Sequence, residues 1–576
     1  MDKKKPKVID INTKKRAGAS KILINFAVTI VVGLIYFYLE LPPINLQARE
    51  FYFFFFMLSA VYCVTAVMTS GLYKLKGEDD FLKSIKNHCK IPLIVCLVFI
   101  VLILVGSLLS SVILRAGAYR DLLEVKVGTF GEDVDEINYN QIPMLDKASA
   151  EKLGDRKMGE LPQYVSQFEV SNEYAQINYN GRPVRVTPLL YGDLIKWFNN
   201  RGEGIPAYIR VDMVTQEVEV VELDVGMKYT TNEHFSRNLY RYLRFNYPTY
   251  MFGTPSFEID DTGHPFWICP KVVKTIGLFG GTDINGAVIV DAVTGENQYY
   301  EEVPNWVDRV YPADLIIEQY DYHGKYVNGL LNSVFGQKDV TVTTAGYNYI
   351  AKNDDVYMYT GITSVSSDQS NVGFILTNQR TKETTYYAIA GAAEYSAMSS
   401  AEGYVQDLGY TSTFPLLLNI SKQPTYFMAL KDNAGLVKQY AMVNVSSYQV
   451  VALGATVREC EMNYLNLLLE QNITEVTELE RFEEEGVVRE IRSAVIDGNT
   501  YYYLKLENSD IFYSISAADS EKAIIVSVGD TVKITYNEKQ ESQILPTTSL
   551  EILNSASAPT PPAKAEAEKP ASDNAA

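Results

Sequence analysis

The chain has 576 residues, 51 Lys and Arg against 70 Asp and Glu, and 47% hydrophobic residues. That is globular composition in a chain too long for one core, so several domains are expected. The first 115 residues carry 15 basic and 7 acidic side chains, leaving 36 against 63 for the rest, and such an acidic remainder argues against nucleic acid as a partner.

Residues 1–21 form a basic tail containing Lys3, Lys4, Lys5, Lys7, Lys14, Lys15, Arg16 and Lys21. Within 22–115, three apolar stretches follow: Ile22 to Leu39, Phe51 to Tyr73 and Ile91 to Leu114. Each is long enough to cross a hydrocarbon core at roughly 20 residues per span. The loop between the second and third holds Lys74, Lys76, Lys83, Lys86 and Lys90, whereas Glu40 to Glu50 holds only Arg49. The bias predicts a multi-pass protein of the cell membrane with a cytoplasmic N-terminus and everything beyond the third span outside the cytoplasm. The exit of the first span, "YFYLELPPINLQ", has no small-residue cleavage pattern, so the span is expected to stay.

Beyond the spans, 116–225 reads as a first α+β module. "DKASAEKLGDRKMGEL" predicts a helix capped by Asp146, Asn180-Gly181 a hairpin and "YGDLIKWFNN" a helix. Residues 226–302 repeat the order. "TNEHFSRNLYRYLRFNYP" predicts a helix with Phe235, Leu239, Tyr242 and Leu243 on one face, and "SFEIDDTGHPFWICPKVV" a strand pair turning at Asp261-Thr262-Gly263. The closing "NGAVIVDAVTGENQYY" has an Asx residue, Asp291, opening a turn between two β-rich runs. The pattern recurs at Asp212, Asn378 and Asn444, which predicts repeated modules at irregular spacing. Residues 303–390 read as a linker with a third hairpin, and 391–480 as another α+β module. Residues 481–547 read as a small OB- or SH3-like β-barrel punctuated by Asp497-Gly498 and Gly529-Asp530, and 548–576 as a disordered tail.

The helix-plus-antiparallel-sheet order ending in "VIVDAVTGENQYY" resembles the PepSY-type module, best over residues 228–302. Asn378 and Asn444 stand in place of the Asp elsewhere, and Gln216, Lys382 and Tyr448 in place of the Gly. The chain as a whole also resembles uncharacterised bacterial membrane proteins with three spans. The resemblance implies binding or restraint of extracytoplasmic proteins, without catalysis.

Candidate chemistry is sparse. The histidines are His88, His234, His264 and His323, and the odd spacing of His264 and Cys269 puts them on opposite faces of one strand. Of the five cysteines, Cys269 and Cys460 fall outside the spans and the cytoplasmic loop, and are expected as buried free thiols rather than a disulfide. "EIDDTG", with Asp260 and Asp261, reads as a turn, and "GLFGGTDING" lacks the ending of a phosphate loop. No catalytic residue, metal or cofactor is assigned. "VPNWVDRVYPADLIIEQYDYHGKY" is richest in recognition chemistry, giving Trp306, Asp308, Arg309 and Tyr311 as candidate partner-binding residues. The alternative is that Trp306 fills a core gap while Asp308 and Arg309 form an ion pair. The expected function is a non-enzymatic, membrane-anchored extracytoplasmic protein that binds or regulates an envelope protein or polymer. The competing readings are a structural subunit of a membrane complex, for which Gly106 to Ser110 offers a small-residue seam, and an envelope hydrolase using a carboxylate pair.

Overall fold

The computed structural model describes residues 11–70, 89–136, 142–352, 354–365, 370–473, 482–496, 499–517, 520–536, 544–547 and 549–554. The basic cluster at Lys3 to Lys7, the loop lysines from Lys74 to Lys86, the Asp497-Gly498 turn and residues 555–576 lie outside them. The chain divides into two units, residues 1–467 and 468–576.

Three helices, α1 (Ile11–Glu40), α2 (Arg49–Ser70) and α3 (Lys90–Leu109), are long and apolar enough to cross a membrane. They fit a multi-pass membrane protein. Rings of Phe51, Phe55 and Phe99 pack where α2 meets α3, and Thr69 Oγ1 donates to the buried Asn25 Oδ1 at 2.9 Å. A polar pair inside an apolar layer must satisfy itself in this way. The third apolar stretch does not run unbroken to Leu114. The helix stops at Leu109, Ser110 Oγ accepts the backbone N–H groups of Leu278 and Phe279, and α4 (Val112–Arg120) begins after the break. The seam from Gly106 to Ser110 is therefore filled by the chain itself, since a Cβ at Gly106 would lie 2.8 Å from the Phe279 ring.

After β1 (Val125–Gly128), one topology occurs four times. The first module has α5 (Lys147–Gly159), β2 (Phe168–Val170), β3 (Ala175–Tyr179), β4 (Arg182–Tyr191), α6 (Leu194–Asn200), β5 (Ile205–Asp212) and β6 (Val218–Met227). The second has α7 (Leu239–Asn246), β7 (Met251–Phe252), β8 (Ser256–Ile259), β9 (Pro265–Ile276), β10 (Gly280–Asp291) and β11 (Asn297–Tyr300). The third has α8 (Ala313–Lys325), β12 (Thr341–Thr343), β13 (Asn348–Lys352), β14 (Asp355–Ser364), β15 (Ser370–Asn378) and β16 (Thr384–Tyr387), with β17 (Gly391–Ala392) added to β15. The fourth has α9 (Glu394–Tyr404), β18 (Thr411–Ser412), β19 (Leu416–Ile420), β20 (Gln423–Lys431), β21 (Val437–Asn444) and β22 (Val451–Gly454), followed by α10 (Val457–Glu470). In every module two short strands pair with the first long strand, which pairs with the second long strand, which pairs with the last, all antiparallel. The region read as a linker thus contains the helix of a complete third module, α8, started after Pro312.

The last hairpins share one turn. Asp212, Asp291 and Asn378 each accept two backbone N–H groups two and three residues ahead through Oδ1, at 2.7 to 3.0 Å. The turn then needs a left-handed residue, supplied by Gln216, Gly295 and Lys382. At Asn444 the turn is longer, and Oδ1 accepts from Ser447 instead. Phe235 departs from its expected place. Asn238 caps α7 by accepting from Arg241 N–H, so the helix face buries Leu239 and Leu243 and leaves Phe235 exposed in a preceding 3-10 turn.

The first two modules share one core, in which Tyr208, Phe257 and Trp267 are buried and the Phe257 and Trp267 rings meet edge-on at 5.3 Å. The second module also sits on the loop between α1 and α2. Arg244 Nε donates to Leu41 O at 2.8 Å, Ile44 N–H to Pro248 O at 2.8 Å, and Gln47 exchanges two hydrogen bonds with the Lys274 backbone.

The second unit has its own core around Val488, Leu504, Tyr513 and Ile534. Its strands are β23 (Phe482–Ile496), β24 (Asn499–Leu506), β25 (Phe512–Ser516), β26 (Thr531–Tyr536), β27 (Ile544–Pro546) and β28 (Ser549–Asn554), in the order β27-β25-β24-β23-β26-β28. Among the described residues no sheet closes into the expected barrel. β23 gives its first half to β26 and its second half to β24, and among the described residues no ladder joins the edge strands β27 and β28. β28 also carries the fold to Asn554, past the expected boundary at 547.

Asp291→Ala removes two turn hydrogen bonds and the contact to His264 Nε2 at 3.0 Å. It should cost on the order of 1–3 kcal/mol and lower the thermal midpoint of the purified chain by a few degrees, with Asp291→Asn recovering most of the loss. Circular dichroism melts of the three proteins check this.

Candidate functional site

The segment from Val303 to Pro312 joins β11 to α8 and passes between the first three modules. Trp306 is half-buried and packs on the Phe266 ring at 4.9 Å, beside the buried Val307 and Val310. Asp308 is 1% exposed. Its Oδ2 accepts the Asn178 N–H of β3 at 2.7 Å, and its own N–H donates to Glu258 of β8 at 2.9 Å. Arg309 donates its N–H to the other Glu258 oxygen at 3.1 Å and lays its guanidinium over Tyr349 of β13, 5.5 Å from the ring centre. Tyr311 is tied by its backbone to Gln379 of the third module, and its hydroxyl reaches Ile284 O at 3.4 Å. The four residues are thus brought together as the seam between modules, and Asp308 bonds to backbone rather than to Arg309.

Glu258 is fully buried, and burial, partly offset by the Asp308 N–H bond, pushes its carboxyl up to about 7. Burial and then the Glu258 charge push Asp308 well above the ordinary carboxylate range, and its Oδ1 has no hydrogen-bond partner among the described residues. In the next layer Arg185 donates to Gln176 Oε1 at 3.2 Å, and burial lowers its guanidinium to about 10. Gln176 also lines a cavity of about 20 Å³ with Met144, Tyr349, Phe414 and Met428, room for about one water.

Sequence reasoning missed the residues that tie the remaining seams. Glu233 accepts the Trp197 indole N–H at 2.7 Å and the Tyr191 hydroxyl at 2.9 Å, joining the first and second modules. Glu394, at the start of α9, accepts the Gly361 N–H at 2.7 Å and the Thr344 hydroxyl at 3.0 Å, joining the third and fourth. Lys382 reaches both oxygens of Asp283 at 2.8 and 2.9 Å. Lys431 meets Asp146 at 2.7 Å; burial opposes that carboxylate's charge, but Lys431 and Ser149 outweigh it and hold the group below its usual range.

One larger cleft, about 310 Å³, opens where β1 lies parallel along β16. Lys126, Asp133, Lys352, Tyr357, Glu383 and Tyr387 line it. Lys126 pairs with Glu383, Asp133 Oδ2 accepts the Thr129 N–H at 3.0 Å, and Lys352 Nζ donates to Asp133 O at 2.6 Å. The mixed charge and tyrosine hydroxyls suit a polar ligand or an extended peptide. Elsewhere, Asp260 Oδ1 accepts the Thr262 and His264 N–H groups and the Thr262 hydroxyl, so "EIDDTG" is a turn. Cys269 and Cys460 are buried and free. No group of three metal-ligating side chains occurs among the described residues.

No known family and no curated protein matches the chain. Among solved structures it is similar to the Bacillus megaterium YpeB C-terminal domain, a PepSY-containing protein, at 13% identity over 39% of this chain and 94% of that one, with a TM-score of 0.09. It is also similar to a B. megaterium levansucrase mutant at 7% identity over 75% of this chain and 97% of that one, with a TM-score of 0.19. Neither likeness carries an activity or a residue role to this chain.

The Glu258 and Asp308 pair has a pH signature. The folded state holds a proton that the unfolded chain releases in the ordinary carboxylate range, so the stabilisation is complete below about 4.5 and is lost as pH rises toward about 7. The thermal midpoint of the first unit's transition should fall by several degrees across that window. In Asp308→Asn the slope should flatten. Calorimetry at half-unit pH steps decides, and an unchanged slope would show that the pair is not the source.

Proposed function

We propose that the chain is a membrane-anchored binding protein, without catalysis, whose modules lie outside the cytoplasm and hold or restrain an envelope protein through an extended segment. The observation that supports this reading most is β1. This segment, outside any module, adds in parallel to the outer edge of the third module's sheet, with Val125 to Gly128 against Thr384 to Tyr387. Backbone edges of this kind recognise extended chains by main-chain hydrogen bonds, with neighbouring pockets reading side chains. The equivalent edge of the first module, β6, ends its sheet with no further strand among the described residues. Its exposed Asp224, with Glu219 and Glu222 also exposed while paired with Arg210 and Tyr164, favours a partner segment of basic character. The PepSY-like reading of the modules is in keeping with restraint of another protein rather than chemistry on it.

For a hydrolytic reading, Asp133 and Glu383 both line the 310 Å³ cleft. Each is already engaged, Asp133 by Thr129 N–H and Glu383 by Lys126, which favours binding over acid-base work.

Crosslinking in intact cells, with mass spectrometry of the captured proteins, tests the proposal. The full-length chain should capture a protein that a chain truncated after Leu114 does not, and Asp224→Lys combined with Glu222→Lys should reduce that capture at least fivefold while the melt changes little. Equal capture by the truncated chain would transfer the role to the spans. Loss of a hydrolytic activity in Asp133→Asn or Glu383→Gln would overturn the non-enzymatic reading.

A further inference from the structure

The first module turns an apolar surface outward beside the spans. α6 buries Trp197 on its inner side, yet Leu194, Ile195 and Phe198, one, four and three residues apart on its outer side, are exposed, at 62, 73 and 58%. Phe235 continues the surface, with its ring 5.8 Å from that of Trp197. Monomeric soluble surfaces rarely gather so many large apolar side chains without a partner.

The surface is continuous with the end of α1. Arg241 of α7 donates one guanidinium N–H to Phe235 O at 2.7 Å and another to Tyr38 O at 3.2 Å, and stacks over the Tyr38 ring at 4.3 Å. Phe245, one turn further along α7 and 56% exposed, packs on Phe37 with centroids 5.8 Å apart. Phe37 lies inside the apolar window Ser20–Glu40, about 4.5 Å below its end at 1.5 Å per residue. When α1 crosses a bilayer, Phe245 therefore sits at the depth of the headgroup and acyl boundary. In the second module the hairpin tip equivalent to α6, Leu278 and Phe279, also packs at that end of the spans, with Phe279 against Tyr52 at 5.7 Å.

The charges match a lipid surface. Arg201 covers the Phe198 ring at 4.3 Å, and Arg237 donates to Arg201 O at 2.7 Å, so Arg201, Arg237 and Arg241 border the apolar side chains. Asp193 is paired with Lys196 at 3.6 Å, and Glu233 is buried beneath. Aromatic and aliphatic side chains bordered by arginine are the composition of an interfacial helix surface, in which guanidinium groups reach the phosphates.

We infer that the outer face of α6, Phe235 and Phe245 rests in the lipid interface of the leaflet nearest the modules, with Arg201, Arg237 and Arg241 on anionic headgroups. The inference rests on α1 to α3 crossing the bilayer and is independent of which partner the modules bind.

The full-length chain is placed in nanodiscs of phosphatidylethanolamine and phosphatidylglycerol, with benzoylphenylalanine introduced singly at Ile195, Phe198 or Phe245, and at exposed Leu408 of the fourth module as a control. Photolysis should give lipid adducts at the first three sites at least tenfold above the control, and exchanging phosphatidylglycerol for phosphatidylcholine should lower the yield at Phe198 severalfold. Adducts at Phe245 alone, crosslinks to a second copy, or no lipid adduct would each overturn the inference. A yield insensitive to the lipid exchange would remove the arginines from it.

Discussion

Carboxylates buried between modules hold this architecture together. Glu233, Glu258, Asp308 and Glu394 are each nearly or wholly inaccessible, and each takes donors from across a seam. A carboxylate in such a place is costly unless it accepts hydrogen bonds or holds a proton, and here the groups that donate to it belong to another module or to the joining segment. One module cannot swing away without stranding a buried acid. The same interactions that make the interior polar therefore fix the angles between sheets. Glu258 shows the logic most fully, since its two oxygens receive consecutive backbone N–H groups and so fix the path of the joining segment.

Given fixed angles, four copies of one topology can diverge where they are least constrained, at the tips between the long strands. In the first module that tip carries α6; in the second it is the short Gly277 to Phe279 turn, which enters the end of α3 through Ser110. The opposite turns, with Asp212, Asp291 and Asn378, stay alike because Asx geometry and the left-handed fourth residue leave little freedom.

Those turns were legible in the sequence because their chemistry is local, and so were the three long apolar helices and the Asp146 cap. The seams were not. Glu258 lies next to the acidic turn residues Asp260 and Asp261, and only long-range packing of β8 between neighbours shows that it is buried while Asp261 is not. Trp306, Asp308, Arg309 and Tyr311 stand out in the sequence as recognition chemistry, but their contacts with Phe266, Asn178, Glu258, Tyr349 and Gln379 are set by long-range packing that no local pattern shows. α8 has helical apolar spacing at Ala313, Ile316, Ile317 and Tyr320, but the polar, Pro-containing segment from Val303 to Pro312 before it reads locally as a linker. Barrel closure is not readable from sequence because strand lengths and turns show which strands exist, whereas closure depends on which edges meet, and none closes among the described residues.

The attachment of the second module to the helices limits how the assembly can move. Arg244 holds Leu41 O, Gln47 holds the backbone of β9, and Ser110 holds the turn between β9 and β10. These contacts engage the loop after α1 and the end of α3, so rotating the module about either one breaks the other. β10 also carries Asp283 to Lys382 of the third module, and β8 carries Glu258 to the joining segment. Hinge motion between the helices and the modules would have to break several buried or half-buried hydrogen bonds at once. The arrangement favours a rigid display of sheet edges at a fixed height above the apolar helices, and such preorganisation is what the proposed capture of an extended segment would draw on.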